Sequence, residues 1–199
     1  VFRSIIREIW QFGVTHLTIW GLSRDNFYSR SDLEISILME IFDETLNELL
    51  SSKEVEEEKL HVRIIGRWKE LCPKDLIEKI IRLENKTASY YNDKHLTLLL
   101  AYNGDDEIKN ALWQFKNNPL GRQVPSVEDL HRWSWTWFLP NVDIMIRTGF
   151  EPHLSNRALM LLMADTHLYF PQIHWPDFSI EELAKIIDDF KNRERRFGA

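Results

Sequence analysis

The sequence contains almost no cysteine. Cys72 is the single cysteine in 199 residues, so the chain cannot close a disulfide within itself. Because disulfides are rare in reducing compartments, this absence predicts a cytoplasmic protein. The sequence also lacks an apolar run long enough to span a bilayer and any recognisable signal peptide. These absences predict a globular chain that depends on its hydrophobic core.

An excess of positive charge is missing as well. The formal net charge is −6, which argues against non-specific nucleic-acid binding, and we expect no nucleic acid among the partners. The chain is 44% apolar, and a domain of this length buries about 70% of its unfolded surface. We therefore predict a single domain over residues 1–199. Since Val1 falls inside a predicted helix, we expect this domain to continue upstream.

Short apolar runs alternate with amphipathic segments along the chain. The runs "HLTIWGL", "LHVRIIG", "HLTLLLAY" and "VDIMI" predict four buried strands at 16–22, 60–66, 95–102 and 142–146. Helices are predicted at 2–12, 31–50, 73–91, 105–115 and 179–197, with a solvated loop or fraying helix end at 53–59. Residues 127–138 predict a short helix and turn, and residues 155–170 predict an apolar helix, with a short strand at its end as an alternative. The alternation predicts the α/β class, with a mainly parallel central sheet flanked by helices.

In a sheet of this kind the ligand site lies beyond the carboxyl ends of the strands. Arg30 follows the first predicted strand, and Arg147 and Ser155 follow the fourth. An arginine fork, a hydroxyl group and the N-terminus of the predicted helix at 155 are suited to phosphate oxygens. These residues predict an anionic site, most plausibly for phosphate.

Each of these residues also has a purely structural interpretation. Ser155 and Asn156 are typical helix-capping residues. Arg147 has possible ion-pair partners in Asp143 and Glu151. The apolar positions of the helix at 31–50 indicate ordinary core packing or one wall of a groove for a lipid chain.

Five segments resemble the cis-prenyltransferases, the undecaprenyl diphosphate synthase family. "HLTIWGLSRDNF" is similar to the family's strand followed by Ser-x-Glu-Asn-Trp, and "LLLAYNGDDEI" is similar to its Asn-Tyr-Gly-Gly-Arg-x-Glu-Ile. "DIMIRTGFEPHLSN" resembles its Asp-Leu-x-Ile-Arg-Thr-Gly-Gly-Glu-x-Arg-x-Ser-Asn signature. "LYFPQIHWPDF" and "NRERRFGA" resemble its Leu-Tyr-Phe…Trp-Pro-Asp-Phe and C-terminal Arg-Arg-Phe-Gly. The order of the segments is the family's order, and they span nearly the whole chain.

The resemblance implies a fold with an apolar tunnel. It also implies that the protein is a transferase of isoprenoid biosynthesis. Such an enzyme condenses isopentenyl diphosphate with an allylic diphosphate, farnesyl or shorter, and makes a cis-polyprenyl diphosphate with the help of Mg²⁺. It also implies a homodimer, with a heterodimer as the alternative, and peripheral membrane contact when the lipid product leaves.

Site residues follow from the resemblance by position. Arg147 and Ser155 are expected to bind the diphosphate of isopentenyl diphosphate. The remaining expected residues are Ser23 and Asn26 near the reacting centre, Arg30 as the arginine of that segment, and Arg196 and Gly198 completing the diphosphate site, expected in the partner subunit.

The sequence departs from the family at several of these positions. The catalytic Asp-Gly-Asn-x-Arg segment would lie upstream of Val1. His153 stands where the signature has its second arginine, and we count it among the diphosphate-binding residues. The metal-binding glutamate falls on His167, with Asp165 as the alternative after a one-residue shift. Gly-Gly-Arg is replaced by Asn103-Gly104-Asp105, which removes a positive charge.

We expect an active cis-prenyltransferase. The departures leave two alternatives open. One is an irregular synthase that joins two five-carbon units on the same fold. The other is a non-catalytic subunit that completes the site of a true synthase.

Overall fold

The computed structural model describes residues 1–90, 94–118 and 123–193. It consists of two compact units. The first unit comprises Val1–Val14, Pro140–Leu154 and Leu162–Ala199, and the second comprises Thr15–Leu139 and Ser155–Leu161. The single domain stays a prediction.

The second unit is built on a parallel sheet of three strands. These are β1 (His16–Ser23), β2 (His61–Ile65) and β3 (His95–Tyr102), in the order β1-β3-β2. The central strand β3 is buried from Leu96 to Tyr102, as its continuous apolar run predicts. The predicted α/β class and parallel sheet are confirmed, and three of the four strands lie within one residue of their predicted bounds.

Helices surround this sheet. In chain order they are α2 (Arg24–Ser29), α3 (Asp32–Ser51), α4 (Lys53–Glu57), α5 (Trp68–Leu71), α6 (Lys74–Thr87), α7 (Gly104–Asn117) and α8 (Val127–Arg132). Ser31 caps α3, because its side chain accepts from the Glu34 N–H while the Glu34 carboxylate accepts from the Ser31 N–H.

Helix α4 corrects the expectation of a loop at 53–59. Ser52 caps this helix by accepting a hydrogen bond from the Val55 N–H, and the Val55 side chain is fully buried. Lys86 donates to the Glu56 carboxylate from another helix at 2.6 Å. One buried valine and these tertiary contacts therefore order a segment whose acidic composition suggested solvation.

The first unit contains two helices and a pair of short parallel strands. They are α1 (Phe2–Glu8), which continues as a 3₁₀ turn to Phe12, β4 (Ile144–Ile146), β5 (His167–Tyr169) and α9 (Ile180–Asn192). Gly13 ends the first helix in the left-handed conformation with φ 81°. Helix α9 ends at Asn192 and Arg193 is extended; the remainder of the predicted helix, 194–197, lies outside the described residues.

The helix predicted in 155–170 is absent, whereas the short strand considered for its end is present as β5 (His167–Tyr169). Asn156, Arg157 and Leu159 have φ values of 48–50°, so the chain makes left-handed turns before a 3₁₀ turn at Met160–Leu162 and the strand β5. The Asn156 carbonyl accepts from the Gly104 N–H, and the Leu159 N–H donates to the Tyr102 hydroxyl. Tertiary hydrogen bonds therefore replace the helical ones.

Among the described residues, no helix is both long and apolar enough to cross a membrane.

Candidate functional site

Ser23 and Asn26 lie at the carboxyl end of β1. The Ser23 hydroxyl donates to Asn26 Oδ1 at 2.7 Å, and the Asn26 N–H donates to Ser23 Oγ at 3.1 Å. This reciprocal pair caps the short helix α2. The capping contacts use only the carbonyl oxygen of the Asn26 side chain, whose amino group carries two further donors. The structure therefore brings the two predicted residues together and gives both a local structural role.

Arg24, between them, was not predicted as a site residue. Its Nη1 donates to Asp106 Oδ1 at 2.5 Å, and its Nη2 and Nε donate to Asp25 Oδ1 at 2.9 and 3.2 Å. The hydrogen bond to Asp25, with the charge of Asp106, raises the pKa of Arg24. Asp25 Oδ2 in turn accepts from Asn103 Nδ2 at 3.1 Å, which links the ends of β1 and β3.

The segment that carries Ser155 joins this same edge of the sheet. The Gly104 N–H donates to the Asn156 carbonyl at 2.9 Å, and Asp105 forms an ion pair with Arg157. A Cβ atom at Gly104 would overlap the Arg157 carbonyl, so only glycine allows this close approach. The segment of Ser155 therefore lies beside the ends of β1 and β3. The predicted helix N-terminus at this position is absent, because the left-handed turns replace it.

A second unpredicted arginine follows β2. The Arg67 N–H donates to the Ala101 carbonyl at 3.1 Å, and its guanidinium hydrogen-bonds Glu70 through Nε at 3.0 Å. The hydrogen bond to Glu70, and to a lesser degree the charges of Glu70 and Asp106, raises the pKa of Arg67. Arg30, which the sequence favoured, ends α2 and lies 3.9 Å from Glu34 with 43% of its side chain exposed.

We call Ser23, Arg24, Asp25, Asn26, Arg67, Asn103 and Asp106 the strand-end cluster. A simple signal would have identified both arginines. Arg24 is the first residue after β1. Arg67 is the second residue after β2, separated from it by Gly66.

In the first unit, Arg147 directly follows β4. Its N–H donates to the Tyr169 carbonyl and its Nε donates to the Glu151 carbonyl, both at 2.9 Å. Gly149 turns the loop with φ 85°, and the exposed His153 donates its N–H to the Glu151 carbonyl at 2.9 Å. The loop thus folds back on itself, and Arg147 and His153 lie at its two ends.

The two metal candidates also lie in the first unit. Asp165 is exposed. His167 is part of β5, donates its N–H to the Asp143 carbonyl, and places its ring edge-on to Phe190 at 5.1 Å. Within 1–90, 94–118 and 123–193, no three His, Cys, Asp or Glu side chains assemble into a possible metal centre. The described residues therefore do not form a magnesium site by themselves. Arg196 and Gly198 lie outside the described residues.

Comparisons with known proteins agree on one class. The family described as "Putative undecaprenyl diphosphate synthase" matches residues 1–198. The tritrans,polycis-undecaprenyl-diphosphate synthase (geranylgeranyl-diphosphate specific) of Pyrococcus furiosus is 34% identical, over 98% of this chain and 74% of that protein. The corresponding synthase of Sulfolobus acidocaldarius is 31% identical, over 99% of this chain and 76% of that protein.

Solved structures agree as well. Lavandulyl diphosphate synthase from Lavandula x intermedia, crystallised with dimethylallyl diphosphate, superposes with a TM-score of 0.87 at 27% identity and covers 100% of this chain and 85% of that one. A Campylobacter jejuni protein described as a probable undecaprenyl diphosphate synthase superposes with a TM-score of 0.84 at 26% identity. The match covers 99% of this chain and 91% of that one.

The fold and these matches define an enzyme of the prenyltransferase class. The chain belongs to the undecaprenyl diphosphate synthase family, and its general chemistry is cis-prenyl transfer.

Proposed function

We propose that this chain condenses isopentenyl diphosphate with an allylic prenyl diphosphate to make a cis-polyprenyl diphosphate. The allylic carbon loses its bond to diphosphate and gains a carbon–carbon bond to the isopentenyl unit, which then gives up one proton. The observation that carries the proposal is the meeting of two segments at one sheet edge. The Ser23–Asn26 pair and the segment of Ser155 are joined there through Asn103 and Gly104.

Arg147 and Ser155 are the proposed ligands of the isopentenyl diphosphate group. Arg147 follows β4 directly, and its Nε donates to the Glu151 carbonyl, which holds the guanidinium at the loop. Its planar fork is suited to two phosphate oxygens at once. His153 adds a donor to the same group, and Arg196 and Gly198 of a partner subunit complete it. Arg30 is proposed as the arginine of the segment that follows β1, and it pairs with Glu34 of α3.

Ser23 and Asn26 are the proposed residues at the reacting centre. The Asn26 amino group can donate to a phosphate oxygen while its carbonyl oxygen remains bound to Ser23. The mutual cap fixes the orientation of both side chains, which favours a rigid site.

Mg²⁺ is part of the proposal because it neutralises diphosphate charge. The ion binds hard oxygen ligands and is commonly held by one or two carboxylates together with substrate phosphates. Asp165 is the better candidate on this ground, since His167 packs against Phe190.

Helix α3 is the proposed wall for the prenyl chain. Leu33, Ile37 and Ile41 follow one another at a spacing of four residues, and their exposed fractions are 71%, 48% and 53%. Core packing therefore explains only part of this helix, where Met39, Leu46 and Leu49 are buried. A cavity of about 490 Å³ lies along another side of α3; its lining residues are Asp32, Ile35, Ser36, Met39, Leu71, Cys72 and Pro73.

A transfer assay tests the proposal. The protein is incubated with Mg²⁺, radiolabelled isopentenyl diphosphate and, in separate reactions, dimethylallyl, farnesyl or geranylgeranyl diphosphate. We expect label in a chain-extended, solvent-extractable product with at least one partner, and none when the allylic substrate is omitted. Absence of transfer with all three partners would refute the proposal. It would favour the non-catalytic subunit if the chain then stimulates an active synthase.

A second function is favoured by the likeness to lavandulyl diphosphate synthase, at a TM-score of 0.87. An irregular synthase would join two five-carbon units. Incubation with dimethylallyl diphosphate and Mg²⁺, without isopentenyl diphosphate, separates the two functions. A ten-carbon diphosphate product supports the irregular reaction, and its absence beside a positive transfer assay excludes it.

A further inference from the structure

The end of β3 has lost a cation relative to the family pattern. Asp105 stands at the arginine position of Gly-Gly-Arg, and the structure pairs Asp105 with Arg157. A site for two diphosphate substrates needs positive charge at the strand ends. A replacement cation would therefore have to lie on a neighbouring strand of the same edge.

Arg24 is placed for that role at the end of β1. Three of its five N–H groups are used, one on Asp106 and two on Asp25. Its side chain is 23% exposed, whereas that of Asp106 is 8% exposed. The two carboxylates fix the guanidinium in one orientation and leave two N–H groups for a ligand. A donor fixed in advance in this way loses little conformational freedom when it binds an anion.

The carboxylate of Asp106 indicates that this ion pair is more than a structural contact. Its Oδ2 atom is buried and has no hydrogen-bond partner among the described residues. A buried, unpaired carboxylate oxygen is costly, and ion pairs of this kind contribute little to stability. Such a carboxylate is better explained by its effect on Arg24, which it holds at the sheet edge beside the Ser23–Asn26 pair.

We propose that Arg24 contacts a substrate diphosphate through its two remaining N–H groups and supplies, at the end of β1, the guanidinium donors that the family carries at the end of β3. Asp25 and Asp106 are the positioning residues of this arginine. The inference rests on the proposed function and deepens it. The ligand is a diphosphate group, which either substrate can provide.

Binding of inorganic pyrophosphate, measured by calorimetry on the full chain with Mg²⁺, tests this role without turnover. The informative variant is Arg24→Met with Asp106→Asn, which removes one charge of each sign. It leaves the local net charge unchanged and avoids an unpaired buried carboxylate. We expect about tenfold weaker binding, because charge-assisted hydrogen bonds are lost.

Arg82→Ala is the matched control, since Arg82 is an exposed arginine on α6 of the same unit. It should bind pyrophosphate as the unmodified chain does. The thermal transition of the double variant shows that it is folded at the temperature of the titration. Unchanged pyrophosphate binding by the folded double variant would overturn the role of Arg24.

Michaelis constants then identify the substrate. A rise of about tenfold for the allylic diphosphate, or for isopentenyl diphosphate, in the double variant assigns Arg24 to that diphosphate. No rise for either substrate would overturn the inference and leave the proposed function intact. If the unmodified chain shows no transfer at all, the proposed function fails, and the pyrophosphate titration alone decides the role of Arg24.

Discussion

Arg147 and His153 stand at the two ends of one loop, and only the arginine offers a forked set of donors. A guanidinium can donate to two phosphate oxygens of one group at once, whereas the two nitrogens of an imidazole point in different directions. Arg147→Ala should therefore raise the Michaelis constant for isopentenyl diphosphate by about tenfold or more at pH 8, and His153→Ala by far less. Initial rates over a range of isopentenyl diphosphate concentrations check this, with circular dichroism to confirm folding. Equal losses in the two variants would mean that their roles in the loop are assigned wrongly.

The strand-end cluster shows how far single residues can be predicted from the sequence. Arg147 and Ser155 were accessible because they follow a recognisable strand, and Ser23 and Asn26 because their segment resembles the family's. The position of Arg24 after its strand was visible too, but its pairing was not, because its buried partner Asp106 lies 82 positions further along the chain. An arginine next to a strand has no visible partner in the sequence until the fold supplies one.

The same limit applies to whole elements. Strand β3 was predicted at its observed bounds, because a continuous apolar run identifies a central strand without other information. The helix predicted from the apolar segment 155–170 does not form, because Gly104 and Tyr102 take hydrogen bonds of Asn156 and Leu159; only the short strand considered for its end is present. The local sequence pattern therefore predicts a helix or strand correctly only where no distant group takes the backbone hydrogen bonds of that segment.

The amino ends of β1, β2 and β3 carry three histidines side by side. His16 and His61 each pair with His95 in the sheet register, and the ring centroids are 4.5 Å apart for His16 and His95, and 5.4 Å for His61 and His95. Burial, followed by the charges of Arg63 and His95, lowers the pKa of His61 from 6.5. The folded sheet therefore favours the neutral imidazole of His61.

This histidine row predicts that the protein loses stability in mild acid. Because the pKa of His61 is lower in the folded state, the unfolded chain takes up the proton first, and stability falls as the pH drops below about 6.5. Urea unfolding of the unmodified chain and of His61→Gln, at pH 8 and pH 5.5, checks this. The variant should lose less stability than the unmodified chain between these two pH values. An equal loss would show that His61 is not the source.

At the scale of the whole molecule, the proposed site needs residues from two copies of the chain. Arg147 belongs to the first unit, and the family pattern assigns Arg196, which lies outside the described residues, to the site of a partner subunit. We expect light scattering to give about twice the chain mass of 23.8 kDa. A mass of one chain would contradict the shared site.

Mixing two impaired variants tests the sharing directly. At an isopentenyl diphosphate concentration well below the Michaelis constants of both variants, Arg147→Ala and Arg196→Ala should each lose most transfer as homodimers. If Arg196 acts across the interface, each site takes Arg147 from one subunit and Arg196 from the other. In a mixed dimer one site then carries both substitutions and the other site carries neither. Since half of the dimers are mixed after random exchange, about a quarter of the unmodified activity should return. If Arg196 acts within its own subunit, every site keeps one defect and no activity returns. Exchange between two differently tagged Arg147→Ala preparations is the control, and it must stay inactive for any recovery to be assigned to the shared site.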